Sequence, residues 1–448
     1  MNKTITALIT LLILFNPLSS ETIDLGKAIE LALKNNHQLN VSRYALASAR
    51  EDVNEAYGYA LPRLDLNASY GYNLIDPEFV IPVLDKYVGG FGEPLVDPVT
   101  QRTAFPSGTD YNIITSIEMT QTLFDYTVLT GIGSSKMYEQ AASEGLNNET
   151  ANTIFQTKVA FYTSLLSRES FELAKSNFAN AEKRYSDIKL RFSEGLISEY
   201  DEIRADVQLE NLRPELLNSE NNFKNTLNNL KLVLGEDENA DYSVEGKLGD
   251  FIQNSNIPKE NDAADEVKSN NFSLKSMNHQ IGVQDAFVEL YKSEYFPKIS
   301  AFVNYLNTSQ TDELGFYGVE NSLAGIRMSI NLFSGLQTNA KVEKAKIAKL
   351  QAQEQMNLME TNLQNKAGSL ARQMKTSKSQ ISAAGKNVEQ AERGYQIANL
   401  RYREGVGSLL ELNDSDLALR MAKLNRLQAV YQFLVASAEY DMLIGKIK

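Results

Sequence analysis

The chain contains nearly the same segment twice, and this duplication constrains its fold more than any other feature. LRFSEGLISEYDE occupies residues 190–202, and LRYREGVGSLLEL occupies residues 400–412. With a fixed offset of 210 and no gap, many residues of 181–235 recur in 391–445. A constant register over 55 residues indicates an internal repeat, so the fold must use one structural unit twice.

The repeat continues towards the N-terminus with shifts of register. LPRLDLNASY at 61–70 matches FPKISAFVNY at 296–305, and IEMTQTLFD at 117–125 matches IRMSINLFS at 326–334. The offsets are 235 and 209, because the first copy has the longer segment between its two matches. The duplication therefore includes the segments that precede the repeated phrase.

These matches divide the chain into four parts. Residues 1–20 are a predicted signal peptide, 21–235 form the first repeat and 261–448 form the second. The intervening segment, 236–260, is acidic and rich in turn-forming residues. It is predicted to be an equatorial linker with room for one short strand.

The N-terminal segment MNKTITALITLLILFNPLSS has the pattern of a secretory signal. Lys3 precedes an apolar run from Ile5 to Phe15, and Pro17 and two serines follow. This run is too short to span a bilayer, so we expect cleavage near Ser20 and export of the remaining chain.

The composition argues against several kinds of site. The chain has no cysteine, which excludes disulfides and thiolate metal ligands, and its formal net charge is −13. An acidic chain without a basic stripe argues against a nucleic-acid partner. His37 and His279 are the only histidines, and the repeat does not align them. Because no nucleophile motif or phosphate loop is present either, we expect no enzyme activity, cofactor or metal.

Beyond the signal, no apolar stretch approaches the roughly 18 residues that a transmembrane helix requires. If the chain crosses a membrane, it must therefore do so with β-strands that close into a barrel.

Each repeat is predicted to open with a helix, over 24–58 and 262–293. Asp24 is the expected N-cap of the first. Pro62 and Pro297 end these helices, and the hydrophobic period then changes from helical to two.

Four segments alternate between apolar and polar residues in the manner of membrane strands. They are 64–72, 112–120, 299–305 and 324–332. Their length of about ten residues suits a tilted strand with one face towards lipid, and tyrosines and phenylalanines cluster at their ends. A soluble sheet with one wet face would alternate in the same way. The connecting segments are polar or rich in proline and glycine, as outer-surface loops are.

Two long segments without proline, 127–192 and 336–402, follow the strand pairs. As helices of about 1.5 Å per residue, each makes a rod of roughly 100 Å. Each rod ends at the repeated phrase, where Gly195 or Gly405 allows a sharp turn, and a second helix returns. The duplicated phrase is therefore predicted to form the tips of two helical hairpins.

Four membrane strands cannot close into a barrel, because the smallest single-chain barrels have about eight. The chain must therefore pool strands with other copies. Eight strands leave an interior filled by side chains, so a conducting assembly needs three or more copies.

The signal peptide, ETIDLGKAIELALKNN, the ALPRL strand start and the paired hairpins with tips of R-[FY]-x-x-G type resemble the TolC family of outer-membrane efflux channels. The resemblance covers 21–448 and rests on order, spacing and duplication. It implies a mixed α+β membrane protein, a homotrimer with a shared twelve-stranded barrel in outer-membrane lipid, and a helical tunnel across the periplasm of a Gram-negative bacterium. A periplasmic adaptor and an inner-membrane pump would dock at the tips. Cargo could be small molecules or, in type I secretion, proteins.

A non-conducting adaptor or structural coiled-coil protein is the alternative from another class. It keeps the hairpins and lacks the pore.

The resemblance assigns roles to residues at both tips. The expected adaptor-docking residues are Arg191, Gly195, Leu196, Arg401, Gly405 and Val406.

Glu411 and Asp414 match the positions of the family's acidic rings at the periplasmic constriction. Spaced at i and i+3, they share a helix face, and three chains would place six carboxylates around a narrow lumen. A solvated acidic face is an equally simple reading.

Tyr402 and Asp201 match two positions of the polar latch that closes the family's channels. A third, an arginine, is replaced by Gly407. We therefore expect a latch that is weaker or built differently, and a resting channel that leaks more or opens more easily than an arginine-latched relative. The conductance of wild type against Gly407→Arg would test this expectation.

Overall fold

The computed structural model describes residues 21–75, 109–237, 242–254, 257–313, 315 and 318–447, and the backbone of three short strands within 76–108. The predicted signal peptide, 1–20, lies outside the described residues, as do parts of the predicted linker and of both predicted surface loops.

The described helices and strands follow the repeat. The helices are α1 Leu25–Asn35, α2 His37–Gly58, α3 Tyr126–Ser193, α4 Glu199–Leu234, α5 Glu260–Asn270, α6 Phe272–Lys292, α7 Gln337–Arg403 and α8 Leu409–Leu443. The strands are β1 Glu21–Ile23, β2 Arg63–Tyr72, β3 Glu78–Pro82, β4 Leu95–Asp97, β5 Arg102–Pro106, β6 Tyr111–Phe124, β7 Tyr242–Val244, β8 Lys298–Thr311 and β9 Val319–Ser329.

The long helices form one hairpin per repeat, α3 with α4 and α7 with α8. The helices α3 and α7 have 68 and 67 residues and are unbroken. The return helix α4 continues through Pro214, which removes one backbone donor from the helix interior.

A four-stranded antiparallel sheet has the order β2-β6-β8-β9, so each repeat contributes two adjacent strands. The register pairs Leu64 with Met119 and Leu66 with Ile117, which places the predicted apolar residues on one face. Leu64 and Leu66 are 71% and 70% exposed. The apolar face is therefore open in the single chain, as a lipid-facing surface would be.

The strands depart from prediction in length and number. Both β6 and β8 have 14 residues, whereas β9 ends at Ser329 rather than at 332. The segment predicted as a loop contains a small sheet of order β3-β5-β4. The linker strand was expected, but its parallel pairing with β1 was not.

The prediction of one continuous opening helix per repeat was wrong, because each breaks at an asparagine. Asn36 separates α1 from α2, and its side chain accepts from the N–H of Leu39 (3.0 Å) and donates to the carbonyl of Val233 (2.8 Å). Asn271 does the same with Leu274 (3.1 Å) and Leu443 (2.9 Å). A side chain that caps a new helix and also satisfies the end of a hairpin stabilises the break. Asp24, by contrast, is the N-cap that the sequence predicted.

The chain divides into two compact units. Unit 1 comprises the described residues of 21–47, 140–279 and 353–447, and its core is built around Phe161, Leu165 and Phe433. Unit 2 comprises 48–139 and 280–352 and contains the four-stranded sheet. In the part of the chain that the structure describes, no helix has both the length and the apolar character needed to cross a bilayer.

Candidate functional site at the hairpin tips

The first hairpin turns at a glycine in the left-handed region. Gly195 has a φ of +72°. Its N–H donates to the carbonyl of Phe192 (2.9 Å), and the N–H of Leu196 donates to the carbonyl of Arg191 (2.9 Å). This pair of bonds is a Schellman motif, which satisfies carbonyls at the helix end and favours glycine at the turn.

The second hairpin turns in the same way. Gly405 has a φ of +74°. Its N–H donates to the carbonyl of Tyr402 (3.1 Å), and the N–H of Val406 donates to the carbonyl of Arg401 (3.0 Å). The six residues predicted for docking therefore occupy matched places in two identical turns.

A serine begins each return helix. The hydroxyl of Ser198 accepts from the N–H of Asp201 (3.2 Å), and that of Ser408 accepts from the N–H of Glu411 (3.1 Å). Both serines are N-caps. The acidic residue in the first turn of each helix interacts favourably with the positive end of the helix dipole. The spacing S-x-x-[DE] marks these two N-caps in the sequence, although they were not among the predicted features.

Each tip presents an apolar side chain to solvent and carries an arginine beside it. Leu196 and Val406 are 68% and 69% exposed, and Arg401 is exposed as well, whereas Arg191 is half-buried. Large apolar side chains at the end of a helical hairpin suit a contact with another protein.

The predicted constriction residues lie in the first turns of α8, and both are exposed. Glu411 has Arg401 at 3.9 Å, a weak and exposed ion pair. Among the described residues, Asp414 has no ion-pair partner. Its carboxylate is therefore free to interact with solvent, ions or another copy of the chain.

The predicted latch residues lie in one electrostatic environment but form no direct hydrogen bond within the described part of the chain. The carboxylate of Asp201 accepts instead from the hydroxyl of Ser198 (2.7 Å). Burial raises the pKa of Tyr402, which the nearby Arg191 lowers and Asp201 raises further. The raised pKa keeps a proton on the Tyr402 hydroxyl, which therefore retains a donor, and the latch remains a prediction.

Gly407 closes the tip tightly. A Cβ at this position would lie 2.9 Å from Cβ of Arg401 and 3.0 Å from the backbone nitrogen of Tyr402. The arginine expected from the family would therefore require the turn to move, so Gly407→Arg changes the backbone as well as the charge.

A buried ion cluster behind the tips was missed by sequence reasoning. Arg184 of α3 donates to both carboxylate oxygens of Asp416 of α8 (3.5 and 3.2 Å) and to the hydroxyl of Tyr395 (3.3 Å). Arg420 lies 3.5 Å from Asp416 and 3.6 Å from Glu215 of α4. The cluster thus connects all four long helices.

Burying the Arg184–Asp416 cluster carries a desolvation cost. Asp416 and Arg420 are 7% and 8% exposed, and Nε of Arg420 is buried without a hydrogen bond. Removing one partner would therefore leave an uncompensated charge far from water. Charged residues at this spacing read as a solvated face in a sequence, which is why they were not singled out.

The chain folds like outer-membrane channels of known structure. It matches the CmeC outer membrane channel of Campylobacter jejuni with a TM-score of 0.75 and 17% identity, over 94% of this chain and 85% of that one. It matches the open state of the MtrE outer membrane channel of Neisseria gonorrhoeae with a TM-score of 0.73 and 16% identity, over 95% and 89%. The predicted fold class, long helical hairpins with four sheet strands per chain, is confirmed.

Sequence comparison identifies the family. The family model described as "Outer membrane efflux protein" matches residues 28–236 and 263–446. Nodulation protein T of Rhizobium leguminosarum bv. trifolii is 20% identical over 346 residues, which are 71% of this chain and 69% of that protein. The chain belongs to the outer membrane efflux protein family, and the predicted resemblance is confirmed. It is an outer-membrane channel protein of the efflux class, in a family of channels rather than enzymes.

Proposed function

We propose that the chain is the outer-membrane exit duct of a tripartite efflux or type I secretion system. Three copies close one sheet from their four-stranded sheets and one ring from their hairpins. A periplasmic adaptor contacts the tips, and an inner-membrane pump supplies the cargo. The observation that carries this proposal is the matched pair of tips, each with an exposed apolar residue beside an arginine.

The duplicated tips support an adaptor that itself binds in repeats. Leu196 and Val406 follow the same turn with the same exposure. Three chains would therefore present six similar tips, three of each kind. Repeated weak contacts of this sort add up to firm attachment, because each contact raises the local concentration of the next.

The acidic residues of α8 support a cation-selective constriction. Glu411 and Asp414 are exposed and lie one helical turn apart. In a ring of three, they concentrate negative potential at one level of the lumen, where a low-dielectric wall strengthens the field. The proposal covers both small-molecule and protein cargo.

Docking is tested at the tips. Leu196→Asp and Val406→Asp together should abolish export and crosslinking to the adaptor, while the protein still reaches the outer membrane as a trimer. Leu74→Asp, at a leucine that is 90% exposed but outside the hairpins, is the matched control. Undiminished export and adaptor crosslinking in the double variant would exclude docking at the tips.

The constriction is tested by ion selectivity in planar bilayers. Glu411→Gln with Asp414→Asn should lower the ratio of cation to anion permeability, whereas Arg204→Gln, at the counterpart of Asp414 in the first repeat, should not. Unchanged selectivity in the double variant would assign these acids to an ordinary solvated surface.

A further inference from the structure

The two hairpins of one chain pack together through α3 and α8. Three polar contacts mark this in-chain contact. Nζ of Lys158 lies 3.1 Å from a carboxylate oxygen of Asp441. The hydroxyls of Thr163 and Tyr431 are 3.0 Å apart. The third contact is the Arg184–Asp416 pair.

A ring of hairpins needs a second contact, between the second hairpin of one copy and the first hairpin of the next. The offset of 210 specifies which residues meet there, because α7 then takes the place of α3, and α4 takes the place of α8. The offset holds well above the tips, since buried positions of α3 and α7 coincide. These pairs are Thr157 and Ala367, Ser164 and Met374, and Ser167 and Ser377.

We infer that a second copy of this chain packs with its α7 face bearing Gln373 and Gly394 against the α4 face bearing Asp206 and Asn221, and that this between-copy contact is weaker than the in-chain contact. The inference rests on the proposed trimeric function. It adds the surface on which the second copy docks, and it identifies the between-copy contacts as those that separate first.

Both ion pairs of the in-chain contact are missing at the equivalent positions. Arg184 is replaced by Gly394, which would face Asp206. Lys158 is replaced by Gly368, which would face Lys231 instead of an acid. The cation that α3 supplies is thus replaced by glycine both times.

The apolar part of the in-chain contact is lost as well. Near the tips, Ile188 of α3, Ala205 of α4 and Leu409 of α8 form a buried cluster. Their counterparts are Ala398, Ser415 and Glu199. The buried isoleucine and leucine thus have no apolar equivalent of their size at the between-copy contact, because alanine buries less apolar area and Glu199 is charged.

The faces assigned to the second copy are open in the single chain at the positions tested below, whereas Lys231, further along α4, is only 9% exposed. Asn221, Gln373 and Gly394 are exposed, and Asp206 is only half-buried, whereas its counterpart Asp416 is buried. Strong pairing inside each chain and weak pairing between chains have one mechanical consequence. The tips part along the three between-copy contacts, with each chain moving as a pair of hairpins.

Crosslinking tests the surface. The chain has no cysteine, so the double variant Gln373→Cys with Asn221→Cys carries the only two thiols. A short bismaleimide should join copies into covalent dimers and trimers on denaturing gels. Thr163→Cys with Tyr431→Cys is the matched in-chain pair, and it should be crosslinked without any increase in mass.

Two other results overturn the inference, and they are distinguishable. If the Gln373–Asn221 pair gives only monomers while a lysine-reactive reagent still traps trimers, the docking surface is wrong and the proposed function stands. If neither reagent traps an oligomer, the proposed trimeric channel fails, and the inference fails with it.

Channel opening tests whether the between-copy contact is the weaker one. Gly394→Arg restores the missing cation opposite Asp206 of the next copy and should lower bilayer current about fivefold, which corresponds to about 1 kcal/mol. The reduction should fade at 1 M salt, because an ion pair at a surface contact is screened there. Gly394→Gln is the uncharged control. Equal reductions in both variants, or none in either, would contradict the inference.

Discussion

The two hairpin tips share a backbone and differ in the side chains that face their neighbours. Gly195 and Gly405 have φ values of +72° and +74°, and Ser198 and Ser408 cap the helices that follow. Between them, Ile197 of the first tip stands where the second has Gly407.

The difference separates what folding requires from what assembly requires. A reversal between antiparallel helices needs a left-handed residue and an N-cap, so both copies keep them. The next turn is free to vary. There, Asp201 and Arg204 of the first hairpin become Glu411 and Asp414 of the second, a change from mixed to purely acidic charge.

The largest expected effect compares the buried ion cluster with its counterpart in the first repeat. Asp416→Ala leaves Arg184 and Arg420 without their shared carboxylate, and removing one partner of a buried pair costs about 3–5 kcal/mol. Asp206→Ala, at the equivalent place, should change the free energy of unfolding by less than about 0.5 kcal/mol. Denaturant titration of the detergent-purified protein measures both.

A similar loss of stability in Asp416→Ala and Asp206→Ala would mean that the two positions make equivalent contacts. The double variant Arg184→Met with Asp416→Leu sharpens the test. It removes the main charge pair together, so it should recover part of the stability that Asp416→Ala loses.

Substituting either turn glycine should lower the free energy of unfolding by the same amount, because the two tips have the same backbone conformation. Gly195→Ala and Gly405→Ala each force a Cβ into the left-handed region at a cost of about 1–2 kcal/mol. No heavy atom lies near either Cβ position, so the cost is conformational rather than steric. Denaturant unfolding of the single variants and of the double variant should show equal and additive losses. A difference of more than about 1 kcal/mol between the single variants would show that the turns are not equivalent.

Much of the fold was predictable because duplication repeats every signal. The rods, the turns at Gly195 and Gly405, and the apolar faces of the strands follow from periodicity and from glycine placement. The breaks at Asn36 and Asn271 were not predicted, although the pair of asparagines recurs in both repeats. An asparagine inside a helical pattern indicates only a weak helix former, and the role of these two depends on carbonyls 197 and 172 residues away.

The candidate site was less predictable than the fold. Charged residues on a helix have no burial signature in one sequence, so Arg184 and Asp416 could not be distinguished from a solvated face. The repeat offset of 210 does show where one hairpin has a cation and the other has glycine. This difference can be interpreted only once the contact between α3 and α8 is known.

The N-caps offer a smaller test of the same symmetry. Ser198→Ala and Ser408→Ala each remove one acceptor from the start of a return helix and should each cost about 1 kcal/mol. Amide hydrogen exchange in the first turns of α4 and α8 measures the local effect, with Ser219→Ala, inside α4, as a control for serine removal. Faster exchange in only one hairpin would indicate that neighbouring contacts stabilise the other tip.

The smallest effect contrasts two glycines of the second repeat, Gly394 inside α7 and Gly407 in the turn that follows it. Nothing lies within 4 Å of a Cβ at Gly394, so Gly394→Ala should raise the free energy of unfolding by about 0.5–1 kcal/mol through helix propensity alone. A Cβ at Gly407 meets Arg401 and the backbone of Tyr402, so Gly407→Ala should lower it. The same substitution then changes sign within 13 residues of α7 and its turn. If Gly407→Ala left the free energy of unfolding unchanged, the tip could relax around a side chain. Lack of space would then not explain why the arginine of the latch is missing.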